Sequence, residues 1–210
     1  MNVELVFAIL DYAGIGLFAF SGGMIAARKE LDPFGALIVG AVTGMGGGTL
    51  RDVLLGRLPV YWIETPEYFG IALLGALIGY YTSPWAQAWA SRRSALVWAD
   101  AAGLAVFCVI GARAGLAVGA HWSIAALTGV MSAAFGGLIR DIIVNDVPLV
   151  LKEDIYALAA LAGAGAYIGA VSFGVNASIA AVIGAVLAFV LRGCAIIFKW
   201  SLPPIGKIGD

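Results

Sequence analysis

The sequence predicts an all-α polytopic membrane protein with seven transmembrane helices: two inverted three-helix repeats and a seventh helix. Hydrophobic residues make up 62% of the 210 residues and charged residues only 12%, whereas a soluble domain has about 25% charged residues. The mean hydropathy is +0.99, and a spanning helix needs about 20 mostly apolar residues. The sequence also repeats itself at a fixed offset, which divides most of the chain into two halves.

Seven apolar segments are predicted to span the membrane, and little chain remains for a soluble domain. They cover residues 5–27, 34–55, 67–83, 94–116, 122–144, 154–173 and 176–199. Asp32 followed by Pro33 is typical of a helix start, with the carboxylate capping the helix and proline in its first turn. The run Thr65-Pro66-Glu67 predicts the start of the third span in the same way.

The remaining composition argues against several classes of function. The net charge of −1 gives no indication of a nucleic-acid partner. Cys108 and Cys194 lie inside apolar runs and are interpreted as small buried hydrophobic residues. His121, the only histidine, is interpreted as an interfacial residue beside Trp122. Because the sequence has no Cys/His cluster, phosphate loop or catalytic motif, we expect no enzyme activity, no metal site and no cofactor.

Basic residues predict the orientation, because cytoplasmic loops are rich in Lys and Arg. Most of them fall on one side of the predicted membrane: Arg28, Lys29, Arg92, Arg93, Lys152, Arg192, Lys199 and Lys207. The other side carries chiefly Arg57, with Arg113 near a helix end. We therefore expect the N-terminus outside, the C-terminus in the cytoplasm, and a place in the inner (plasma) membrane. The N-terminal segment lacks a basic region and a cleavage site, and is interpreted as a retained helix.

Two motifs recur at an offset of 89 residues. The first reads Asp11-x-x-Gly14-x-x-x-Phe18-x-x-x-Gly22 and then Asp100-x-x-Gly103-x-x-x-Phe107-x-x-x-Gly111. The second reads Gly47-Gly48-x-x-Arg51-Asp52 and then Gly136-Gly137-x-x-Arg140-Asp141. Because each copy holds three spans, an odd number, the second copy enters the membrane from the opposite face. The predicted units are 1–89 for the first repeat, 90–174 for the second, inverted repeat, and 175–210 for the seventh helix and a short tail.

Glycine clusters lie near the middle of the second and fifth spans. Gly46, Gly47 and Gly48 precede the end of the second span by about eight residues, or about 12 Å, and Gly136 and Gly137 occupy the matching depth in the fifth. A helical glycine costs about 1 kcal/mol relative to alanine, so each cluster predicts a kink or a break. Paired breaks at the midplane indicate a binding site or a pore. The alternative is close helix packing through small residues.

Each glycine cluster is followed by a charged pair inside the predicted span. The two pairs are Arg51-Asp52 and Arg140-Asp141. Charges inside a membrane are costly and commonly mark ion or substrate paths. Asp11 shares its depth with Arg51 near the outer side, and the repeat predicts the same for Asp100 and Arg140 near the inner side. We therefore predict two ion pairs, Asp11–Arg51 and Asp100–Arg140, which either hold helices together or gate a central path.

Three further polar residues fall inside predicted spans: Ser21, Thr43 and Ser132. Their hydroxyl oxygens can line a pore, although Ser and Thr commonly hydrogen-bond to their own helix. Backbone carbonyls freed at glycine breaks would add ligands for a cation.

Three segments carry a family resemblance: FAFSGG (18–23), the GGGTLRDVLLG run within 32–60, and FGGLIRDIIVNDVP (135–148). With them the sequence resembles the prokaryotic branch of the trimeric intracellular cation (TRIC) channel family, whose bacterial members are also labelled as a twice-repeated glycine transporter domain. The resemblance implies seven spans, a homotrimer, and one pore per protomer that carries K⁺ and Na⁺ between kinked second and fifth helices. It places the kinks at the two glycine clusters, and in the second cluster Phe135 stands where the first has a third glycine. The Lys-Glu-Val motif that eukaryotic members link to phosphoinositide lipid is absent.

We expect a passive channel for monovalent cations in a lipid bilayer. The alternative is a secondary transporter of a small zwitterion such as glycine, in which half-helix ends at the midplane would hold a carboxylate and an ammonium group. A membrane scaffold or an intramembrane enzyme would leave the paired glycine clusters without a role. Saturable uptake would favour the transporter, and ohmic single-channel current would favour the channel.

Overall fold

The computed structural model describes residues 3–89, 92–152 and 155–200, with side chains described outside 85–94. In these residues the chain folds into nine helices and contains no strand. The helices are α1 (Val3–Arg28), α2 (Pro33–Leu54), α3 (Tyr61–Glu64), α4 (Glu67–Trp89), α5 (Arg92–Ala117), α6 (Trp122–Ile143), α7 (Leu149–Lys152), α8 (Tyr156–Ser172) and α9 (Ala177–Phe198).

Each predicted span lies on one of the longer helices, namely α1, α2, α4, α5, α6, α8 and α9. Within the described residues, five helices are long and apolar enough to cross a membrane: α1, α2, α5, α6 and α9. Helix α8 is a shorter apolar helix of 17 residues, and α4 has 23 residues with Pro84 inside it. The predicted starts of the sixth span at residue 154 and of the second repeat at residue 90 lie outside the described residues.

Two one-turn helices, α3 and α7, follow the two Arg-Asp pairs and were not predicted. The backbone N–H of Tyr61, which begins α3, donates to Asp52 Oδ2 at 3.2 Å. The backbone N–H of Leu149, which begins α7, donates to Asp141 Oδ2 at 3.0 Å. Each aspartate therefore caps the short helix that follows it. Hydrophobic periodicity cannot reveal these helices, because four residues complete barely one turn.

Helix starts follow the capping chemistry that the sequence predicts. The Asp32 carboxylate accepts a hydrogen bond from the Gly35 N–H at 2.7 Å, and Pro33 lies in the first turn of α2. This prediction is confirmed. His121 is exposed at the start of α6, where its Nδ1 accepts from the Ser123 N–H at 3.4 Å. An exposed histidine at a helix start fits its interpretation as an interfacial residue.

The loops after α2 and α6 have the same geometry. Gly56 and Asn145 are 89 residues apart and adopt positive φ angles of 66° and 55°, a conformation that Gly and Asn tolerate best. The Arg57 N–H donates to the Asp52 carbonyl at 2.8 Å, and one repeat later the Asp146 N–H donates to the Asp141 carbonyl at 2.8 Å. The two copies therefore end their second helices in the same turn.

These equivalent loops lie at opposite ends of the helix bundle. An Arg113–Glu4 ion pair of 2.7 Å joins the end of α5 to the start of α1, and Arg57 lines the cavity beside them. We call this end the N-terminal face. A Lys29–Asp146 ion pair of 2.6 Å joins the end of α1 to the loop after α6, which defines the opposite face. Placing Arg57 and its equivalent Asp146 at different faces is the arrangement expected of inverted repeats.

Small residues bring the helices of each repeat together. A methyl group on Gly22 of α1 would lie 2.7 Å from the Gly40 Cα of α2, and one on Gly111 of α5 would lie 2.8 Å from the Gly129 Cα of α6. Such close approach is typical of helices that pack in lipid. Helices α2 and α6 then pack against each other between the two repeats, and α9 packs on α5 and α8.

Candidate functional site

The glycine clusters of α2 and α6 face each other where the two helices meet. A methyl group on Gly47 would overlap the carbonyl oxygen of Ser132, and a methyl group on Gly136 would overlap the carbonyl oxygen of Thr43. Thr43 and Ser132 occupy equivalent positions, 89 residues apart, so the contact is reciprocal. Gly46 also lies at this contact, because a Cβ there would lie 3.9 Å from the Gly136 Cα.

Both helices keep their helical conformation through residues 46–48 and 136–137. The predicted interruption of helical structure is therefore not seen at either cluster. In this state the glycines allow the two helices to pack closely through small residues, which is the alternative interpretation of the clusters. Contact with the facing helix compensates for the low intrinsic helix propensity of glycine, so a continuous helix is retained.

The first charge cluster, Asp11, Arg51 and Asp52, lies toward the N-terminal face. Arg51 Nε donates to Asp52 Oδ1 at 2.9 Å, and Arg57 Nη1 lies 3.7 Å from the same oxygen. The predicted Asp11–Arg51 ion pair does not form a direct salt bridge, because in the described residues these groups do not approach within 4.0 Å. Asp52, the next residue on the same helix, is the carboxylate that contacts Arg51 directly. Arg51 also packs over Tyr61, with 5.5 Å from the guanidinium carbon to the ring centroid.

Asp11 and Arg51 nevertheless line one cavity of about 310 Å³ at the N-terminal face. Its other polar lining residues are Glu4, Arg57, Tyr61, Glu64, Thr65, Tyr68 and Arg113. Burial raises the pKa of the Tyr61 hydroxyl above its usual value, although the positive charge of Arg51 opposes the shift. The hydroxyl thus stays neutral at physiological pH, and the charges of the cavity come from its carboxylates and guanidinium groups.

The second charge cluster, Asp100, Arg140 and Asp141, is more tightly closed. Arg140 Nη1 donates to Asp100 Oδ1 at 2.9 Å, and Arg140 Nε donates to Asp141 Oδ1 at 2.8 Å. The predicted Asp100–Arg140 ion pair is therefore confirmed. Arg140 Nη1 also donates to the Ser21 hydroxyl at 2.8 Å. Arg140 is 0% exposed and Asp100 1% exposed, so the pair holds α5, α6 and α1 together away from solvent.

The three predicted polar residues have different surroundings. Ser21 joins the second charge cluster through Arg140. The Thr43 hydroxyl donates to the Val39 carbonyl of its own helix at 2.5 Å. The Ser132 hydroxyl is buried at the α2–α6 contact, where it has no hydrogen-bond partner in the described part of the chain.

A smaller cavity of about 100 Å³ lies at the opposite face and reaches Asp141. Arg28, Asp146 and Lys152 supply its other charged lining residues. Along α2 and α6, the contacts of Gly47 with Ser132 and of Gly136 with Thr43 lie between this cavity and the one beside Arg51. The structure therefore has a polar cavity at each face, and the glycine-lined contact of α2 and α6 separates the two.

Sequence reasoning missed Tyr61, Tyr156 and Arg192. Arg192 was counted among the basic residues at the end of the seventh span, but it is 1% exposed inside α9. Its guanidinium carbon lies 5.0 Å from the ring centroid of Tyr156. The sequence did hold a signal that Arg192 is buried: it lies seven residues before the predicted span end, so about 10 Å of helix separates it from the membrane surface. The described residues contain no group of three or more His, Cys, Asp or Glu that could hold a metal ion.

Comparison with known proteins identifies a family from the sequence. A family model described as "Glycine transporter" matches residues 8–84 and 97–172. The UPF0126 membrane protein YvgT of Bacillus subtilis (strain 168) is 37% identical over 207 residues, which cover 95% of this chain and 96% of that protein. The UPF0126 inner membrane protein YadS of Escherichia coli (strain K12) is 34% identical over 195 residues, covering 92% and 93%.

Solved structures share the fold over almost the whole chain. The TRIC trimeric intracellular cation channel orthologue from Rhodobacter sphaeroides superimposes with a TM-score of 0.86 and 40% identity, covering 93% of this chain and 99% of that one. A prokaryotic TRIC channel crystallised in 0.5 M KCl gives a TM-score of 0.87 at 28% identity, covering 95% and 100%. Both of these proteins are described as channels.

Proposed function

The chain belongs to the prokaryotic trimeric intracellular cation (TRIC) channel family, and we propose that it is a membrane channel that passively conducts monovalent cations, K⁺ and Na⁺. The observation that carries the proposal is the likeness of the chain to a solved cation channel over 93% of its length at 40% identity. The two polar cavities on either side of the α2–α6 contact support it, because a conduction path needs a hydrated mouth at each face.

The proposed pore runs within each protomer between α2 and α6. Cations would enter the cavity beside Asp11, whose carboxylate makes that mouth more attractive to them. Arg51 and Arg140 act as gates, and their positive charges are offset by the aspartates beside them. Opening requires α2 and α6 to separate at the two glycine clusters, where the low helix propensity of glycine lets each helix bend. Thr43 and Ser132 would then face the path, and backbone and hydroxyl oxygens would coordinate the ion.

We further propose that seven helices cross the bilayer as two inverted three-helix repeats, 1–89 and 90–174, followed by the seventh helix and tail, 175–210. The assembly would be a homotrimer in the inner membrane, as the description of the Rhodobacter sphaeroides channel as trimeric suggests. The N-terminal face would lie outside and the opposite face in the cytoplasm, following the distribution of basic residues. We expect the channel to work without a cofactor.

Single-channel recording of the purified chain in a planar bilayer tests this function. In asymmetric KCl we expect discrete current steps that reverse near the K⁺ equilibrium potential. The double variant Arg51→Ala/Arg140→Ala removes both proposed gates and should change the conductance or the open probability. Lys199→Met, which removes an exposed charge just after the end of α9, is the control and should conduct as the wild type does.

Two other results would redirect the assignment. A silent bilayer together with saturable uptake of labelled glycine into liposomes would establish the transporter alternative, which the description of the family model suggests. Steps that reverse near the Cl⁻ equilibrium potential would show an anion channel and would contradict the proposal.

A further inference from the structure

Arg192 is a buried cation outside both repeats. It lies in α9, the helix that follows the second repeat, and only 1% of its surface is exposed. Buried arginines inside membrane helices are costly and keep partners within the bundle. Arg192 packs over the ring of Tyr156, with 5.0 Å from the guanidinium carbon to the ring centroid. This cation–π contact fixes the first residue of α8 against the last third of α9.

Tyr156 connects this arginine to the second charge cluster. The tyrosine is 1% exposed, and its hydroxyl lies on the side of Gly137 where a side chain would be. A methyl group on Gly137 would lie 3.6 Å from the Tyr156 hydroxyl, 3.2 Å from Asp100 Oδ1 and 3.5 Å from Arg140 Nη2. The ring of Tyr156 therefore contacts Arg192, while its hydroxyl lies in a small space beside the Asp100–Arg140 ion pair.

The two charge clusters differ in how their carboxylates are balanced. In the first cluster, Asp52 has two cations, Arg51 Nε at 2.9 Å and Arg57 Nη1 at 3.7 Å. The repeat equivalent of Arg57 is Asp146, which carries the opposite charge. Asp146 instead forms an ion pair with Lys29 at 2.6 Å. The second repeat thus lacks the second cation that the first repeat provides.

The second cluster consequently holds two buried carboxylates, Asp100 and Asp141, on the single guanidinium group of Arg140. Arg28 and Lys152 line the cavity next to Asp141, but both are exposed. Among the described residues, neither forms an ion pair with Asp141 within 4.0 Å. Arg57 is also exposed but lies 3.7 Å from Asp52, whereas exposed charges without such a contact are screened by water and salt and compensate a buried carboxylate weakly.

We infer that Arg192 is a positioning residue of the second charge cluster: from outside the repeats it supplies the second buried positive charge and holds Tyr156 against the Asp100–Arg140 pair. The seventh helix thereby completes an electrostatic arrangement that the first repeat builds from its own residues. This inferred charge balance does not depend on the channel function, whereas its effect on ion flow rests on the proposed channel function.

Loss of this charge has a defined consequence for conduction. Without Arg192 the second cluster carries one uncompensated carboxylate in a region of low dielectric constant, which attracts cations to that half of the path. In symmetric KCl we expect Arg192→Met to raise the single-channel conductance about twofold or more and to make the current rectify, because only one half of the path changes. Arg192→Lys keeps the charge and should retain most of the wild-type conductance.

The matched control is Lys199→Met, which removes an exposed cation seven residues further along the chain. It should leave conductance and rectification at wild-type values. Arg192→Met with unchanged conductance and no rectification, in protein that elutes as the wild type does, would overturn the inference. An equal change in the Lys199→Met control would also overturn it, because the effect would then be a general loss of positive charge.

Thermal unfolding in detergent gives a second readout that holds whether or not the chain conducts. Arg192→Met should lower the midpoint temperature, and the double variant Arg192→Met/Asp100→Asn should recover part of the loss because it removes one charge of each sign. If Arg192→Met yields no folded protein, the recovery of folded protein in the double variant is measured instead. No recovery in the double variant would contradict charge balance. A silent wild type would refute only the channel function and leave this cycle valid.

Discussion

Phe18 and Phe107 stack on each other with ring centroids 5.2 Å apart and an angle of 24° between the planes. The two residues occupy the same position of the two repeats, 89 residues apart, and a side chain that contacts its own equivalent must lie near the axis relating the copies. Gly14 and Gly103 complete the arrangement reciprocally. A methyl group on Gly14 would lie 3.1 Å from the Phe107 ring, and one on Gly103 would overlap the Phe18 ring. The glycine and phenylalanine of the repeated motif therefore interlock across α1 and α5.

Removing either ring should destabilise the bundle. We expect Phe18→Ala and Phe107→Ala each to lower the free energy of unfolding by on the order of 2 kcal/mol, because a cavity remains at the centre of the fold. The double variant should cost less than the sum, since the two rings share one contact. Thermal unfolding in detergent measures the cycle, with the exposed Phe34→Ala as control. Strict additivity would show that the two rings do not act as one unit.

The α2–α6 contact should not accept a methyl group. In Gly136→Ala the new Cβ would overlap the Thr43 carbonyl oxygen, so the helices must move apart, and such overpacking costs about 1–3 kcal/mol. Gly47→Ala should behave alike, because it faces the Ser132 carbonyl. Gly165→Ala is the control, since nothing lies within 4 Å of its added methyl group. Midpoint temperatures measured in detergent should separate the first two variants from the control, and equal values for all three would contradict the contact.

The repeat made much of this arrangement predictable. An offset of 89 residues relates the turns at Gly56 and Asn145 and the glycines that join α2 to α6. The Asp100–Arg140 pair could be predicted because both residues lie inside spans at one depth, where a buried charge needs a partner. The regular spacing of apolar segments likewise located the longer helices.

The remaining contacts depend on the direction in which each side chain points from its helix, which the sequence does not determine. Depth alone suggested Asp11 as the partner of Arg51. Asp52 binds Arg51 Nε just as Asp141 binds Arg140 Nε, but only in the second cluster does the arginine also reach the aspartate on the first helix of its repeat, Asp100. Hydropathy does not distinguish the faces of these helices, because they are apolar all round. It therefore could not show that Arg192 points into the bundle toward Tyr156.

The second charge cluster should be more sensitive to neutralisation than a surface ion pair. Asp100→Asn leaves the fully buried Arg140 with a weaker partner, and breaking a buried pair costs about 3–5 kcal/mol. Glu4→Gln breaks the pair between Arg113 and a Glu4 side chain that is 78% exposed, and exposed pairs contribute about 0–1 kcal/mol. Denaturation in detergent should therefore show a large loss for Asp100→Asn and a small one for Glu4→Gln. Similar losses would mean that the second cluster is hydrated.

Thiol labelling should distinguish the open cavity from the closed centre. In a background with Cys108→Ala and Cys194→Ala, Asp11→Cys places a thiol in the cavity at the N-terminal face, whereas Ser132→Cys places one at the α2–α6 contact. A membrane-impermeant thiol reagent needs access to the thiolate, so Asp11→Cys should react faster on the order of tenfold. The proposed orientation adds that the reagent should reach Asp11→Cys from outside intact cells. Equal rates at both positions would show that α2 and α6 are already separated in the resting protein, and labelling from the cytoplasmic side alone would reverse the orientation while leaving the closed centre intact.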